Sequence, residues 1–371
     1  MQATDSSKSQ PVRGPSNTFA IGPLAIALAI FVVVLILLWQ GFLFLRSSDL
    51  PQLANAVIAI VWGVGGVALF YYALNRVVES LPERIGALLQ PYVFVGPAVL
   101  ILGWFFFIPT LRTFYLSFLD SNSEDFVGLQ NYVATFTDRQ MIVSFRNNLM
   151  WIVFGTFFCV AMGLLIAVFA DRSKFERVAK SLIFMPMAIS FVGAAVIWRF
   201  IYYFQPAGET QIGALNAIVV ALRGQPQAWL QLIQPWNNLF LILVVIWMQT
   251  GFALVIFSAA LKSVPDDLLE AGRIDGANES RIFFKIIIPY IRGTIITVTT
   301  TILIFCLKIF DIVIAMTGGQ YGTEVIGTQF YRQFFANRNA GLGSAIAIVL
   351  LIAVIPVMIY NLRQLKQQEL S

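Results

Sequence analysis

The sequence predicts an all-α polytopic membrane protein with eight transmembrane helices. Hydrophobic residues occupy 58% of its 371 positions, charged residues only 12%, and the mean hydropathy is +0.80. Soluble globular domains carry about 25% charged residues, so water is not the main solvent of this chain. Eight apolar runs have the roughly 18 or more residues that a spanning helix requires. They cover residues 19–45, 53–74, 93–116, 150–170, 182–204, 239–261, 294–316 and 342–362.

The distribution of Lys and Arg predicts the orientation of these helices. With a cytoplasmic N-terminus, 15 of the basic residues fall on the cytoplasmic side and six on the outer side. Cytoplasmic loops carry an excess of Lys and Arg, so both termini are predicted to be cytoplasmic. The same orientation places the polar loop 262–293 in the cytoplasm. It also accounts for the net charge of +5 without a nucleic-acid partner.

Three segments are predicted along the chain. Residues 1–18 form a polar cytoplasmic tail. Residues 19–91 form an N-terminal extension of two spans, closed by a short interfacial amphipathic helix over 81–89. Residues 92–371 then form a six-helix core that carries the cytoplasmic loop.

The composition argues against several kinds of chemistry. The chain has no His, which is the commonest acid–base group near neutral pH and the commonest metal ligand. Cys159 and Cys306 both lie inside apolar runs, where a structural thiol is more typical than a disulfide or metal site. The sequence contains no Gly-x4-Gly-Lys-Ser/Thr phosphate loop, so the chain is not itself an ATPase. We expect no metal site, bound cofactor or catalytic residue.

The cytoplasmic loop has the pattern of a helix–turn–helix. Pro265, followed by two Asp residues, is typical of a helix start, because acidic groups favour the positive end of the helix dipole. Gly272 and Gly276 keep this helix thin, which favours close approach by a partner. A second helix is predicted over Glu279–Ile287, ending against Pro289. Such a hairpin would transmit movement to a soluble partner, and an ordinary surface hairpin is the alternative.

A spaced motif in this loop reads Glu270-Ala271-Gly272-x3-Gly276-x9-Ile286-x-Ile288-Pro289. It resembles the EAA signature of permease subunits of bacterial ATP-binding-cassette (ABC) importers. Gly272 stands where Ala is usual, and Ile288 where Leu is usual. The resemblance implies that the segment is a coupling helix seated against a cytoplasmic ATPase. The residues that would form it are Glu270, Ala271, Gly272, Asp275 and Gly276.

Motifs at 126–132, 184–191, 247–252 and 308–319 are similar to the sugar-importer branch typified by the maltose permease. The resemblance implies a type I importer permease fold in the bacterial inner membrane, with the two N-terminal spans also found in the larger maltose permease. It implies a homologous second permease, two cytoplasmic ATPase subunits that use ATP and Mg²⁺, and an extracytoplasmic solute-binding protein. Residues 319–326 are also similar to α-glucoside and glucosylglycerol permeases, so a sugar or glycoside of this kind is the expected substrate.

Some polar and aromatic side chains within or beside the spans are candidates for lining a solute pathway, because sugars need hydroxyl partners and flat apolar surfaces. These candidates are Trp247, Gln249, Thr250, Trp198 and Asn148. Interhelical hydrogen bonding is the alternative for Gln249 and Thr250, and helix capping is the alternative for Asn148. The aromatic rings would otherwise belong to a membrane-interface belt.

Among the charges inside apolar runs, those considered for the bundle interior are Arg199, Lys308 and Asp311. Each costs about 2.5–3.5 kcal/mol at a helix centre on insertion scales, so such groups are expected to face the bundle interior. Lys308 and Asp311 are three residues apart on one predicted helix and are expected to pair. Arg199 lies toward the outer end of its run, where it can reach the interface. Structural pairing is favoured over solute contact.

Two other classes of function stay open at this level. An ion-coupled secondary transporter needs membrane acids that cycle protons, and Asp311 is the one clear candidate, with Lys308 beside it. A membrane enzyme would have to work without His and with few buried acids. Uptake into vesicles with ATP removed and an ion gradient imposed would separate the importer from the secondary transporter.

Overall fold

A computed structural model describes residues 21–369 of the chain, and the surroundings of the side chains from 22 to 364. The predicted tail 1–18 lies outside the described residues. Within them, the only β feature is an isolated antiparallel bridge between Leu119 and Phe126, so the predicted all-α class is confirmed.

Fifteen helices of the described residues are numbered here in chain order; two one-turn helical segments, Trp229–Gln231 and Arg332–Ala336, are left unnumbered. The numbered helices are α1 Ile21–Ser47, α2 Gln52–Glu79, α3 Glu83–Leu116, α4 Gln130–Thr137, α5 Arg139–Asp171, α6 Glu176–Ala188, α7 Phe191–Ile201, α8 Ala214–Ala221, α9 Trp236–Lys262, α10 Asp266–Ile274, α11 Glu279–Tyr290, α12 Arg292–Leu307, α13 Asp311–Met316, α14 Ile326–Tyr331 and α15 Ala340–Glu369.

Six of these helices are long and apolar enough to cross a membrane: α1, α2, α3, α5, α9 and α15. Two bent pairs, α6 with α7 and α11 with α12, bring the number of spans to as many as eight among the described residues. The predicted number of spans therefore agrees with the structure only if each bent pair crosses the membrane as one unit.

The fifth predicted run, 182–204, is wrong as a single straight helix. It is bent by 103° between α6 and α7. Pro186 lies in a 3-10 turn that ends α6, and the Ser190 hydroxyl accepts the Gly193 N–H at 3.0 Å to begin α7. A Ser cap of this kind supplies a partner for one of the free N–H groups at the start of α7.

The seventh predicted run, 294–316, is also broken. α12 begins after a 70° bend that follows Tyr290, and it ends at Leu307. The chain then starts a new short helix, α13, at Asp311. Lys308 and Asp311 consequently lie on two different helices.

The chain divides into two compact units, the first ending at Thr110 and the second beginning at Leu111. This division differs from the boundary predicted after residue 91. In the first unit, α1 packs on α2 and α2 packs on α3. Residues 83–89, expected in a separate interfacial helix, are instead the first turns of α3, which continues unbroken to Leu116.

In the second unit, α9 is the central helix. Half of its apolar stretch (50%) is buried, against 28% or less in the other five long helices. It packs on α5, α6 and α12. The approach to α5 is close because Gly163 has no side chain: a Cβ there would lie 2.4 Å from the Cβ of Ala253. Small residues at such crossings are what allows membrane helices to pack tightly.

Candidate functional site

Helices α10 and α11 form the helical hairpin that the sequence predicts in the cytoplasmic loop, called here the knuckle. Pro265 precedes α10, and Asp266 and Asp267 occupy its first turn. The helix ends in a Schellman arrangement: the Ala277 N–H donates to the Gly272 carbonyl, and the Gly276 N–H to that of Arg273, both at 3.0 Å. Gly276 has a φ of +76°, a conformation that glycine adopts without the penalty an L residue incurs.

The second half of the knuckle begins at a cap and is tied to its surroundings by exposed ion pairs. The Asn278 side-chain oxygen accepts the Arg281 N–H at 2.8 Å. Glu279 lies 3.1 Å from Nε of Arg273 and 3.6 Å from a guanidinium nitrogen of Arg172, at the end of α5. The knuckle is therefore a defined pair of capped helices, and one face of α10 is exposed to solvent.

One face of α10 is open, and the other packs on α11. Glu270, Ala271 and Asp275 are exposed, as a coupling surface requires, and Ile274 is 85% exposed. Gly272 is buried, and a Cβ there would lie 2.7 Å from Cδ1 of Ile286. The expectation that Gly272 thins the helix for a partner is wrong, because it faces α11 of the same chain. The ATPase contact of the other four residues stays a prediction.

An ionic cluster joins the ends of α5, α6 and α9 that are predicted to be cytoplasmic. Lys180 contacts both Asp171 and Glu176, and its ammonium group also donates to the hydroxyl of Ser258 on α9. Ser258 in turn donates to Asp171 at 2.8 Å, and Lys262 pairs with Glu176. These contacts join the ends of three helices close to residue 263, where the segment that connects α9 to the knuckle begins.

Two of the predicted pathway residues meet in the structure. The rings of Trp198 on α7 and Trp247 on α9 contact edge to face, with centroids 5.8 Å apart. Gln249 lies half-buried two residues further along α9. The structure thus brings Trp198 and Trp247 together, and the role of these three residues in a pathway stays a prediction.

Thr250 and Asn148 do not line an open pathway. Thr250 is 6% exposed, and its hydroxyl donates to the carbonyl of Ile246 on its own helix at 2.6 Å. Asn148 is 2% exposed; its amide donates to the Leu307 carbonyl at 2.9 Å and accepts the Ile326 N–H at 2.7 Å. Asn148 therefore joins the end of α12 to the start of α14. The expectation that these two residues line the pathway is wrong, because their polar groups are buried and form hydrogen bonds within the protein.

The predicted pairing of Lys308 with Asp311 is also wrong. Lys308 follows the last residue of α12 and Asp311 is the first residue of α13, so the helix that would align them ends between them. The ion pairs found among the described residues do not include this one. Both side chains are exposed in the isolated chain. Arg199 is exposed in the last turn of α7.

Residues 317–324, on the predicted outer side, form a tightly held loop that sequence reasoning treated only as a family likeness. We call it the outer turn. Asn147 on α5 donates to the carbonyls of Gly322 and Glu324, both at 2.7 Å. Asn237 on α9 donates to the Tyr321 carbonyl at 2.7 Å, and Arg332 pairs with Glu324. The one local signal in the sequence was a Gly-rich segment with a single acid, Glu324. Its contacts with Asn147 and Asn237 are visible only in the structure.

Comparisons with known proteins agree with this architecture. Residues 159–367 match the family model of the binding-protein-dependent transport system inner membrane component. The chain belongs to this family. It is 53% identical over 277 residues to the osmoprotective compounds uptake permease protein GgtC of Synechocystis sp., covering 75% of this chain and 99% of that protein. It is 44% identical over 328 residues to the alpha-glucoside transport system permease protein AglF of Rhizobium meliloti, covering 85% and 97%.

Among solved structures, the fold is similar to a chain of a bacterial ABC transporter involved in the import of the acidic polysaccharide alginate. The TM-score is 0.65 at 21% identity, over 76% of this chain and 99% of that chain. The predicted family and importer permease fold are confirmed. This protein is an inner-membrane permease subunit of an ABC importer, which sets aside the alternative of an ion-coupled secondary transporter.

Proposed function

We propose that this permease forms half of the translocation pathway for a neutral glycoside, of the α-glucoside or glucosylglycerol kind, and that its knuckle couples transport to ATP hydrolysis. The knuckle is the observation that carries the coupling role. Its exposed face combines an acid, Glu270, with an apolar side chain, Ile274, that is 85% exposed. AglF, at 44% identity, is an alpha-glucoside transport permease, and GgtC, at 53%, is a permease for uptake of osmoprotective compounds; both relatives support the substrate class.

The remaining parts of the transporter follow from this role. A homologous second permease supplies the other half of the pathway, and a solute-binding protein delivers the glycoside from outside. Two cytoplasmic ATPase subunits bind ATP and Mg²⁺, while this chain holds no metal or cofactor and has no catalytic residue. Both termini lie in the cytoplasm, on the side to which the excess of Lys and Arg assigns the knuckle.

The connection from the knuckle into the membrane supports mechanical transmission. α11 leads directly into α12 through the 70° bend, so a displacement of the knuckle moves the base of α12. At its other end, α12 is held by the bond from Asn148 to the Leu307 carbonyl. Asn148 also holds the N–H of Ile326, so movement of α12 is passed to α5 and α14.

The test uses the assembled importer in proteoliposomes, with Glu270→Lys and Gly276→Asp in this chain. Glu270→Lys reverses a charge on the docking face, and Gly276→Asp places an L residue at positive φ, which costs about 1–2 kcal/mol. Both variants are expected to insert normally. The ATPase rate stimulated by glycoside-loaded binding protein should fall at least about tenfold, equivalent to about 1.4 kcal/mol of lost interaction.

Glu124→Lys is the matched control, since Glu124 is an exposed acid in the loop predicted outside. It should leave coupling unchanged. Normal stimulation in both knuckle variants would contradict the coupling role. Uptake driven by an ion gradient without ATP would contradict the whole function. A substrate panel of maltose, trehalose, sucrose and glucosylglycerol tests the substrate class separately.

A further inference from the structure

A cleft of about 450 Å³ opens between the last turn of α7, the one-turn helix Trp229–Gln231 and the outer turn. We call it the outer cleft, because all three segments lie on the predicted outer side. Its volume falls within the roughly 300–1,000 Å³ of small-molecule sites. It is a different site from the candidate pathway residue Gln249, because no residue of α9 lines the cleft.

The lining of the outer cleft is polar and aromatic. Arg199 is the only charged residue among the described residues that line it; Gln231 and Gln320 add amides, and Tyr203 and Tyr321 add half-exposed rings. By contrast, the cavity beside Phe154 and Trp236 is lined entirely by apolar side chains, as a lipid-facing groove would be.

This set of groups fits a neutral polyhydroxy compound. An amide both donates and accepts, as a hydroxyl does, and the guanidinium fork offers several donors to adjacent hydroxyls. Aromatic faces cover the apolar C–H surface of a sugar ring. Arg199 is one cation among amides and rings, and the neutral class of the ligand follows from the proposed function.

The outer turn gives this cleft a rigid wall. The hydroxyls of Thr317 and Thr323 lie 2.7 Å apart, and the Tyr321 carbonyl is held by Asn237 at the same distance. Tyr321 has a φ of +58°, although it is not a glycine. Holding an L residue there costs about 1–2 kcal/mol, and such strain is concentrated at functional sites. The strained residue presents its ring, 51% exposed, to the cleft.

An aromatic series connects the cleft with the candidate pathway in the membrane. Tyr202, which lines the cleft, contacts Trp198 with ring centroids 5.1 Å apart. Trp198 contacts Trp247 at 5.8 Å. Tyr202 is only 3% exposed, so these contacts pack α7 on α9 between the cleft and Trp247.

We propose that the outer cleft is a glycoside-binding site, occupied after release from the solute-binding protein and before entry into the membrane beside Trp247. This inference rests on the proposed function, since it assumes that the glycoside is the transported solute. The site takes a neutral sugar ring against Tyr321, with its hydroxyls bonded by Arg199, Gln231 and Gln320.

Cysteine labelling tests occupancy directly in the assembled importer. Both native cysteines, Cys159 and Cys306, are buried at 0% exposure, so an added surface thiol on this chain is labelled selectively. Gln231→Cys places a thiol in the cleft, and Asn122→Cys places one on an exposed loop away from it. Free glucosylglycerol or maltose at millimolar concentration, without binding protein, should slow maleimide labelling at 231 several-fold and leave 122 unchanged. Equal rates with and without sugar at both positions would overturn the proposal.

Substitutions at Tyr321 test the same site through transport. Tyr321→Gly removes the ring and relieves the positive φ, so the turn stays folded. It should raise the concentration of loaded binding protein that gives half-maximal uptake about tenfold, whereas Tyr321→Phe, which keeps the ring, should change it less than about twofold. Equal half-saturation in Tyr321→Gly and wild type would overturn the proposal, as would a loss of maximal rate alone.

These results separate the two levels of the argument. If the wild-type importer transports none of the sugar panel, the proposed substrate class fails. If it transports a sugar but that sugar does not protect 231, the outer cleft fails while the proposed function stands. Protection of 231 by empty binding protein, and not by sugar, would identify the cleft as a protein-docking surface and so overturn the glycoside site.

Discussion

The knuckle and the outer turn are two short polar segments of one unit, and they are stabilised in opposite ways. Each contains a glycine in the left-handed region, Gly276 with φ +76° and Gly322 with φ +72°. The knuckle is closed by its own helix caps and exposes Glu270 and Ile274. The outer turn is held by side chains from α5 and α9 and by Arg332, which directly follows α14. Its residue Glu324 is only 8% exposed.

This difference matches two kinds of partner. A surface that docks on a large protein can leave apolar groups exposed, because the partner buries them on assembly. A wall for a small ligand has to be rigid before the ligand arrives, since ordering it during binding would reduce affinity. The knuckle has the first property and the outer turn the second.

The largest effect on stability is expected from Asn147→Leu, which removes the main clamp of the outer turn. Asn147 is fully buried, and its amide is a donor to the carbonyls of both Gly322 and Glu324. Gln234 also donates to the Gly322 carbonyl, so the variant mainly leaves the Glu324 carbonyl without its donor. A buried carbonyl left unpaired costs about 1–3 kcal/mol, so the purified complex should unfold at a clearly lower temperature. Tryptophan fluorescence during heating in detergent measures this loss.

Asn122→Leu is the control for Asn147→Leu, because Asn122 is exposed and should tolerate the change. If Asn147→Leu leaves both the unfolding temperature and the sugar protection of Gln231→Cys unaltered, the outer turn is not the rigid element described here.

A middle-sized effect, confined to coupling, is expected from Gly272→Leu. The new side chain would be forced between α10 and α11, where Ile286 and Ile282 already lie within 2.7 and 3.5 Å of a Cβ. Overpacking of this kind costs about 1–3 kcal/mol. Stimulated ATPase activity should fall while the global unfolding temperature changes little, because the knuckle contributes few contacts to the core.

Gly272→Ala provides the graded comparison. The end of a flexible Ile286 side chain can move away from one methyl group, so this variant should retain most of its coupling. Equal activity of the Leu and Ala variants would show that coupling does not depend on the close packing of α10 on α11.

The smallest effect is expected from Glu279→Gln. The ion pairs of Glu279 with Arg273 and Arg172 join side chains that are all more than half exposed, at 57%, 52% and 67%. Exposed pairs contribute about 0–1 kcal/mol and are screened by salt. Coupled ATPase activity at physiological ionic strength should stay within about twofold of wild type. A tenfold loss would mean that the tie to α5, rather than the caps, holds the knuckle.

The knuckle could be predicted closely because its signals are local. Pro265 and the acids that follow it begin α10, and Gly276 ends that helix, within a dozen residues of sequence. The outer turn could not be predicted, because its clamps lie far away along the chain: Asn147 and Glu324 are 177 residues apart. Nothing near residue 322 signals that an amide on α5 will meet its carbonyl.

The breaks in the fifth and seventh runs show the same limit. Apolar composition indicates that a run can lie in lipid, but it does not reveal a bend such as that between α6 and α7. The misassignments of Thr250 and Asn148 have a related cause. A polar residue in a span is equally consistent with a pathway and with an internal bond, and only the position of its partner distinguishes the two.

By itself, the sequence determined that this chain is a membrane protein and where the knuckle begins and ends, and it predicted the orientation of the loops from Lys and Arg. These properties depend on composition and on neighbours within a few turns of helix. Only the tertiary structure decided which polar groups are buried, that Gly272 faces its own chain, and that Arg199 and Tyr321 share one cleft. Those outcomes depend on packing between helices rather than on local preference: it brings together Gly272 and Ile286, 14 positions apart, and Arg199 and Tyr321, 122 positions apart.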